Sequence, residues 1–190
     1  MTTAERWTVA DLAHFPNDDG LRYEIIDGEL HVTKAPHSFH QVVAGRIVAR
    51  LDDWAIAYNN GLAINAPGII LDGEDNLIPD AIWISQQRLG YALDVDGKLH
   101  EMPELVIEVV SPGAANARRD RELKPAVYAR RGAVEYWIVD WLRREIEVYH
   151  NNQGEMNLAV LFREGETLVS TLLDGFAMPL APLFRGVSTS

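Results

Sequence analysis

Glu108 lies in the run Glu104-Leu105-Val106-Ile107-Glu108-Val109-Val110, which is apolar at nearly every other position. In a strand covered on both faces an ionised carboxylate costs several kcal/mol unless a cation or hydrogen bonds compensate it. Glu108 is therefore either a satisfied buried acid or part of a site. Asp80 opens a second apolar strand, Asp80 to Ser85, behind Pro79, where it either caps a turn or aims its carboxylate at a neighbouring strand. If the two share a site, carboxylates about 4 Å apart repel by roughly 4 kcal/mol at an effective dielectric near 20, which implies a proton or a divalent metal between them. The chain has no Cys, so thiolate metal sites, disulfides and cysteine nucleophiles are excluded together. Oxygen ligands alone point to Mg2+ or Mn2+ rather than to structural zinc.

Other chemistry-bearing residues have plainer readings beside the functional one. His37 and His40 have the i, i+3 spacing of a helical metal pair, and also the position of capping or surface residues at a helix start. Ser111 precedes a proline and reads as a turn former, since the sequence ties no His or Asp to it as in a serine triad. Trp83, Tyr136 and Trp137 sit in strand runs and read as core rather than as base-stacking platforms.

The elements that must position these residues follow from periodicity. Thr8 opens a short helix ending near Pro16. Asp27-Gly28 between two apolar runs specifies a hairpin over Tyr23–Thr33. A capping box at Ser38 and Gln41 starts the longest helix, which ends before Asn59-Asn60-Gly61. Leu62 to Leu71 reads as two short strands or one bent strand, and Gln86 to Met102 as loop with one helical turn. Ser111-Pro112-Gly113 stops the Glu108 strand; a helix from about Arg121 closes at Gly132, and Val134–Val139, Glu145–His150 and Met156–Phe162 are strands. Helices interleaved with a sheet around one core make a mixed α/β sandwich, plausibly three-layered.

With 190 residues, 47% hydrophobic and 24% charged, the chain is long enough to bury roughly 70% of its unfolded surface. We expect one domain over residues 8–185 with short terminal arms, no membrane span and a cytoplasmic location. The net charge of −11 opposes passive adhesion to nucleic acid. The charge is unevenly placed: Arg118 to Arg131 carries a local +4 and Asp72 to Glu108 a local −7.

Tyr23-Glu24-Ile25-Ile26-Asp27-Gly28-Glu29-Leu30, Ile78-Pro79-Asp80, Pro103 to Pro112 and Tyr128 to Asp140 together resemble the Uma family of putative restriction endonucleases, abundant in cyanobacteria. The order Asp80, Glu108, then a lysine is that of the PD-(D/E)XK nuclease superfamily. The resemblance runs from about Thr8 to Phe184. It implies a restriction-endonuclease-like α/β fold, a central mixed β-sheet flanked by helices, with Asp80 and Glu108 binding the metal and the backbone carbonyl of Val109 completing its coordination. The superfamily lysine two residues after the Glu is replaced here by Val110; the Uma family carries it on the following helix, at Lys124 here. Asp120, one turn earlier, would hold Lys124 by an ion pair. Pro125 implies that the helix begins no earlier than Asp120, with the proline in its first turn or at a kink. Glu24 matches the family pattern, near the metal or on the strand surface.

The expected activity is thus a Mg2+- or Mn2+-dependent endonuclease hydrolysing phosphodiester bonds, with double-stranded DNA as substrate, Arg118, Arg119 and Arg121 on phosphates, and a two-fold homodimer for cutting both strands. Two alternatives remain: a catalytically inactive binding or regulatory protein of the same fold, suggested by Val110, Pro125 and the acidic charge, and a metal-dependent small phosphoesterase.

Overall fold

Three adjacent strands are buried along nearly their whole length: β6 (Ala81–Ser85), β7 (Leu105–Val109) and β8 (Glu135–Asp140). Their near-continuous apolar sequences are what strands covered on both faces require. The computed structural model describes residues 6–16, 19–111 and 118–187; the stop at Pro112-Gly113 and the outer parts of the terminal arms lie outside them. With β3 (Gly61–Asn65), β9 (Glu145–Asn152) and β10 (Glu155–Arg163), the three strands form a six-stranded sheet in the order β10-β9-β8-β7-β6-β3. The β7–β8 pair is parallel and the other neighbours are antiparallel, so the sheet is mixed, as expected.

Helices α1 (Ser38–Tyr58), α2 (Gln86–Ala92), α3 (Lys124–Arg130) and α4 (Leu180–Phe184) surround this sheet. On one face α1 lays Val43, Ile47, Leu51 and Trp54, at helical spacing, into a cluster with Trp83, Ile107, Val109 and Trp137. The hairpin of β11 (Thr167–Val169) and β12 (Ala177–Pro179) extends that cluster with Leu168 and Met178. The opposite face is covered by a second, four-stranded sheet of order β2-β1-β5-β4, built from β1 (Leu21–Ile26), β2 (Glu29–Lys34), β4 (Ile69–Leu71) and β5 (Asp75–Leu77). Ile26, Ile69, Leu71 and Leu77 meet Ile82, Val106 and Ile138 there, joined by Val127 and Tyr128 of α3. Asp27 and Gly28, with φ of 51° and 80°, make the tight β1–β2 turn that the Asp-Gly pair predicts.

Several local expectations are corrected. His37, not Ser38, caps α1: its Nδ1 accepts the Phe39 N–H (3.1 Å), because Ser38 is already helical. The Thr8 helix is a six-residue 3-10 turn, Val9–His14. The segment after β6 forms the two-turn helix α2, capped by Ser85, whose Oγ accepts the Arg88 N–H (3.2 Å). The helical stretch also begins before Asp120. Arg119–Leu123 form a π-helical turn in which the Lys124 N–H reaches the Arg119 carbonyl, five residues back. Pro125 sits just after it, in the first turn of α3. The wide turn accommodates a ring that lacks an N–H and would clash with a carbonyl four residues back.

Asp75 of β5 ties the small sheet to the end of α3. Its Oδ1 accepts the Asp27 N–H (2.8 Å) and its Oδ2 accepts both Nε (3.2 Å) and Nη2 (2.9 Å) of Arg131, just past α3. Asp75→Ala should lower stability by about 2 kcal/mol in urea unfolding, because it leaves the Asp27 N–H without its acceptor and Arg131 with only its exposed partners, Asp72 and Glu74. Asp75→Asn, which keeps an acceptor for Asp27, should cost less. Equal losses would show that the Asp27 hydrogen bond contributes nothing beyond the ion pair.

Candidate active site

β6 and β7 pair through Ala81 and Ile107, so Asp80 and Glu108 stand one step beyond that pair at one end of the large sheet. A cavity of about 330 Å3 opens there, lined by Asp80, Glu108, Val109 and Ser111 from the sheet end, Arg22 and Glu24 from β1, His37 and His40 from the start of α1, and Arg119 and Lys124 from the helical segment. Arg22 and Glu24 are two residues apart on a strand and so share a face.

Each strand-end carboxylate is held through one oxygen. Asp80 Oδ2 accepts the Val109 N–H (2.8 Å) and lies 3.0 Å from His40 Nε2. Glu108 Oε1 accepts from Lys124 Nζ (2.8 Å) and from the Tyr128 hydroxyl (2.6 Å). Lys124 Nζ also lies 2.9 Å from Glu24 Oε1, which takes the Ile78 N–H (2.9 Å). The second oxygens, Asp80 Oδ1 and Glu108 Oε2, have no hydrogen-bond donor among the described residues; Arg22 stands 3.8 Å from Oδ1.

The environments drive the two acids apart. Burial pushes Glu108 up to about 8, with Lys124 opposing and Asp80, Asp120 and Glu24 reinforcing the shift. For Asp80 burial also favours the neutral acid, but the His40 contact, the Val109 N–H and the Lys124 charge outweigh it and hold the carboxyl below its usual range. Burial likewise opposes the Lys124 charge, yet Glu108, Glu24 and Asp120 more than compensate, so the ammonium persists above the ordinary lysine range. Burial and the adjacent Glu108 raise Tyr128 well above a normal phenol, which keeps it a donor.

Two hard carboxylate oxygens without donors, facing one cavity, suit a Mg2+-type cation, which keeps several waters and needs only one or two protein carboxylates. Among the described residues no group of three or more His, Asp or Glu is arranged as a ligand set, which argues against an all-protein cage.

Of the residues weighed from sequence, Asp80, Glu108, Val109, Glu24, Lys124 and Arg119 meet at this cavity, together with His37, His40 and Ser111. Asp120 is buried beside it but binds Arg119 Nε (2.8 Å), not Lys124, whose ammonium is drawn to Glu108 and Glu24 instead. Arg118 is exposed and pairs with Glu122 (3.4 Å), while Arg121 pairs with Glu147 and lies 3.7 Å from Asp140. Residues two apart on a helix point to opposite sides, so Arg119 and Arg121 cannot share one surface.

A family model described as "Putative restriction endonuclease", Uma2, matches residues 9–181. The chain belongs to the Uma2 family. No curated protein matches it. A crystal structure of a putative nuclease belonging to DUF820 from Anabaena variabilis ATCC 29413 superposes with a TM-score of 0.73 at 16% identity, over 94% of this chain and 97% of that one. At that identity the likeness establishes a shared fold. The Uma2 resemblance read from the hairpin and strand motifs is thus confirmed over nearly the span expected, and with it the mixed α/β architecture.

Two residues at this Uma2 site escape a reading of the sequence: Arg22 and Tyr128. Arg22 has a legible signal, its two-residue spacing from Glu24. Spacing pairs His40 with His37, but the structure separates them, His37 capping the helix and His40 turning inward. Tyr128 carries no signal beyond its place one turn after Lys124.

If Glu108 is largely protonated near neutrality, a cation that binds its ionised form must displace that proton. The apparent Mn2+ affinity should therefore climb about tenfold per pH unit from pH 6 and level off above about 8. Asp80, ionised throughout, adds nothing in that window. Calorimetry in buffers of different ionisation enthalpy should detect the released proton, and Glu108→Gln should remove it. A pH-independent affinity would show that Glu108 is ionised before the cation arrives.

Proposed function

We propose that this protein is a divalent-cation-dependent endonuclease that hydrolyses phosphodiester bonds in DNA. The observation that supports this most directly is that Asp80 and Glu108, whose Oδ1 and Oε2 have no hydrogen-bond donor among the described residues, line one cavity together with a buried ammonium from another element. The Val109 carbonyl, water and the substrate's own oxygens would complete the coordination of Mg2+ or Mn2+. When bound, such a cation polarises the phosphoryl group and acidifies a water molecule.

The chain's own residues then divide the work. Asp80, ionised and fixed by two contacts, supplies lasting negative charge for the cation. Lys124 is held as an ammonium by Glu108 and Glu24, so it cannot take a proton from the attacking water; it places positive charge where negative charge grows on the phosphoryl oxygens. Arg22 and Arg119 border the same cavity and suit the flanking phosphates. Because duplex strands are antiparallel, cutting both calls for two copies related by a two-fold axis.

Incubation of plasmid with Mg2+ tests the reading. Wild type should nick or linearise it, Asp80→Asn should be inactive, and Lys124→Ala should be slower by about 100-fold or more. Cleavage by Asp80→Asn at the wild-type rate would sink the assignment, and full activity in Lys124→Ala would reduce the lysine to a structural cation. The arginines make a separate prediction. Arg119→Ala should lower the logarithmic salt slope of duplex binding by about 0.9, the effect of one phosphate contact. Arg121→Ala should leave the slope unchanged, since Arg121 is not among the residues lining the cavity and pairs with Glu147 and Asp140.

A further inference from the structure

A carboxylate offers two equivalent oxygens, and nothing in the group itself decides which one a cation meets. At this site the choice is made by neighbours on opposite faces of the sheet. His40, in the first turn of α1, brings Nε2 to 3.0 Å from Asp80 Oδ2. Tyr128 of α3 puts its hydroxyl 2.6 Å from Glu108 Oε1. We infer that His40 and Tyr128 are positioning residues, which pin Asp80 Oδ2 and Glu108 Oε1 and so leave Oδ1 and Oε2 as the oxygens a divalent cation takes. This rests on the cation site argued above and adds to it the groups that set its geometry.

His40 is placed at a cost that packing alone does not explain. His40 is buried, and its Nδ1 has no hydrogen-bond partner among the described residues. Buried polar atoms are satisfied in the great majority of cases, and the exceptions concentrate where function demands them. An ionised carboxylate can only accept, so the Nε2 facing Asp80 must carry hydrogen. Without that contact Asp80 would keep one donor, the Val109 N–H, and be free to turn both oxygens toward Arg22, now 3.8 Å from Oδ1. The Tyr128 hydroxyl is fully buried and donates to Glu108, where it shares Oε1 with Lys124 and leaves Oε2 clear. Partners that orient metal ligands in this way typically matter by 10- to 100-fold in metal affinity.

Two measurements without nucleic acid test the inference. Nitrogen-15 NMR of the cation-free wild type should show His40 with hydrogen on Nε2; a ring bare at Nε2 and protonated only at Nδ1 overturns the proposal for His40. In Mn2+ calorimetry His40→Ala should bind about 10- to 100-fold more weakly and Tyr128→Phe about 10-fold more weakly. His40→Gln, whose amide nitrogen reaches roughly as far as Nε2, should stay within about threefold of wild type, whereas His40→Asn, reaching only to Nδ1, should behave like Ala. Melting curves of the cation-free variants identify any that fail to fold, and a merely structural histidine would not separate Gln from Asn in this order. Wild-type binding with unaltered affinity in His40→Ala and Tyr128→Phe overturns the positioning role alone. No Mn2+ binding by wild type overturns that role together with the cation reading of the site.

Discussion

A buried ammonium between two carboxylates, Lys124 with Glu108 and Glu24, joins three elements that are distant in the chain: β1 of the small sheet, β7 of the large one and helix α3. Taking charges out of water costs several kcal/mol per ion, and only good geometry recovers it. Removing the lysine would leave two facing carboxylates without their cation, and removing either glutamate would leave the buried ammonium a single partner, so the three depend on one another. Much else follows from that constraint. The small sheet must dock on the large one to deliver Glu24, and the Asp75–Arg131 ion pair and the Asp27-Gly28 turn are the local devices that dock it. The helix must start with its first residue facing the sheet, which the π-helical turn and Pro125 arrange together.

The same constraint explains how a lysine can leave the strand without leaving the site. Two residues after Glu108 stands Val110, buried in the core cluster between the sheets, with its carbonyl accepting Trp141 Nε1 (3.0 Å). A lysine there would displace packed apolar surface. A four-carbon stem reaching in from α3 brings its ammonium to Glu108 from outside the strand, and that leaves position 110 free to pack.

How far the sequence discloses this depends on the range of each signal. Glu108 and Asp80 are conspicuous because a carboxylate inside or behind an apolar run is a local contradiction. The large sheet is legible for a similar reason, since β6, β7 and β8 are apolar at almost every position. The small sheet is partly legible: β1 and β2 announce themselves through Asp-Gly and β4 is the second of the two short strands read in Leu62–Leu71, whereas β5, three residues long, carries no periodicity. Helical spacing, a local rule, assigns Asp120 to Lys124, but the stronger partners come from 16 residues back and from another sheet. His40 and Tyr128 belong to that class too, since their meaning depends on contacts across the sheet.

Charge shows the difference between local and tertiary reading most clearly. The Arg118–Arg131 run looks like a surface for nucleic acid, yet in the fold most of its cations are engaged: Arg119 with Asp120, Arg121 with Glu147, Lys124 with Glu108 and Glu24, Arg130 with Asp27, and Arg131 with Asp72 and Asp75. Lys124 and Arg131 draw partners from the acidic stretch, and the other four cations of the run find theirs elsewhere in the fold. In a chain of net charge −11, little free positive potential then remains to draw a polyanion from a distance. Attraction has to be local, from Arg22, Lys34 and Arg119 around the cavity, and it is opposed there by Asp80. A divalent ion on Asp80 and Glu108 reverses that balance, because it is the largest charge in the site. Under the reading proposed here, the cation is therefore as much a condition for holding the phosphate as for cleaving it.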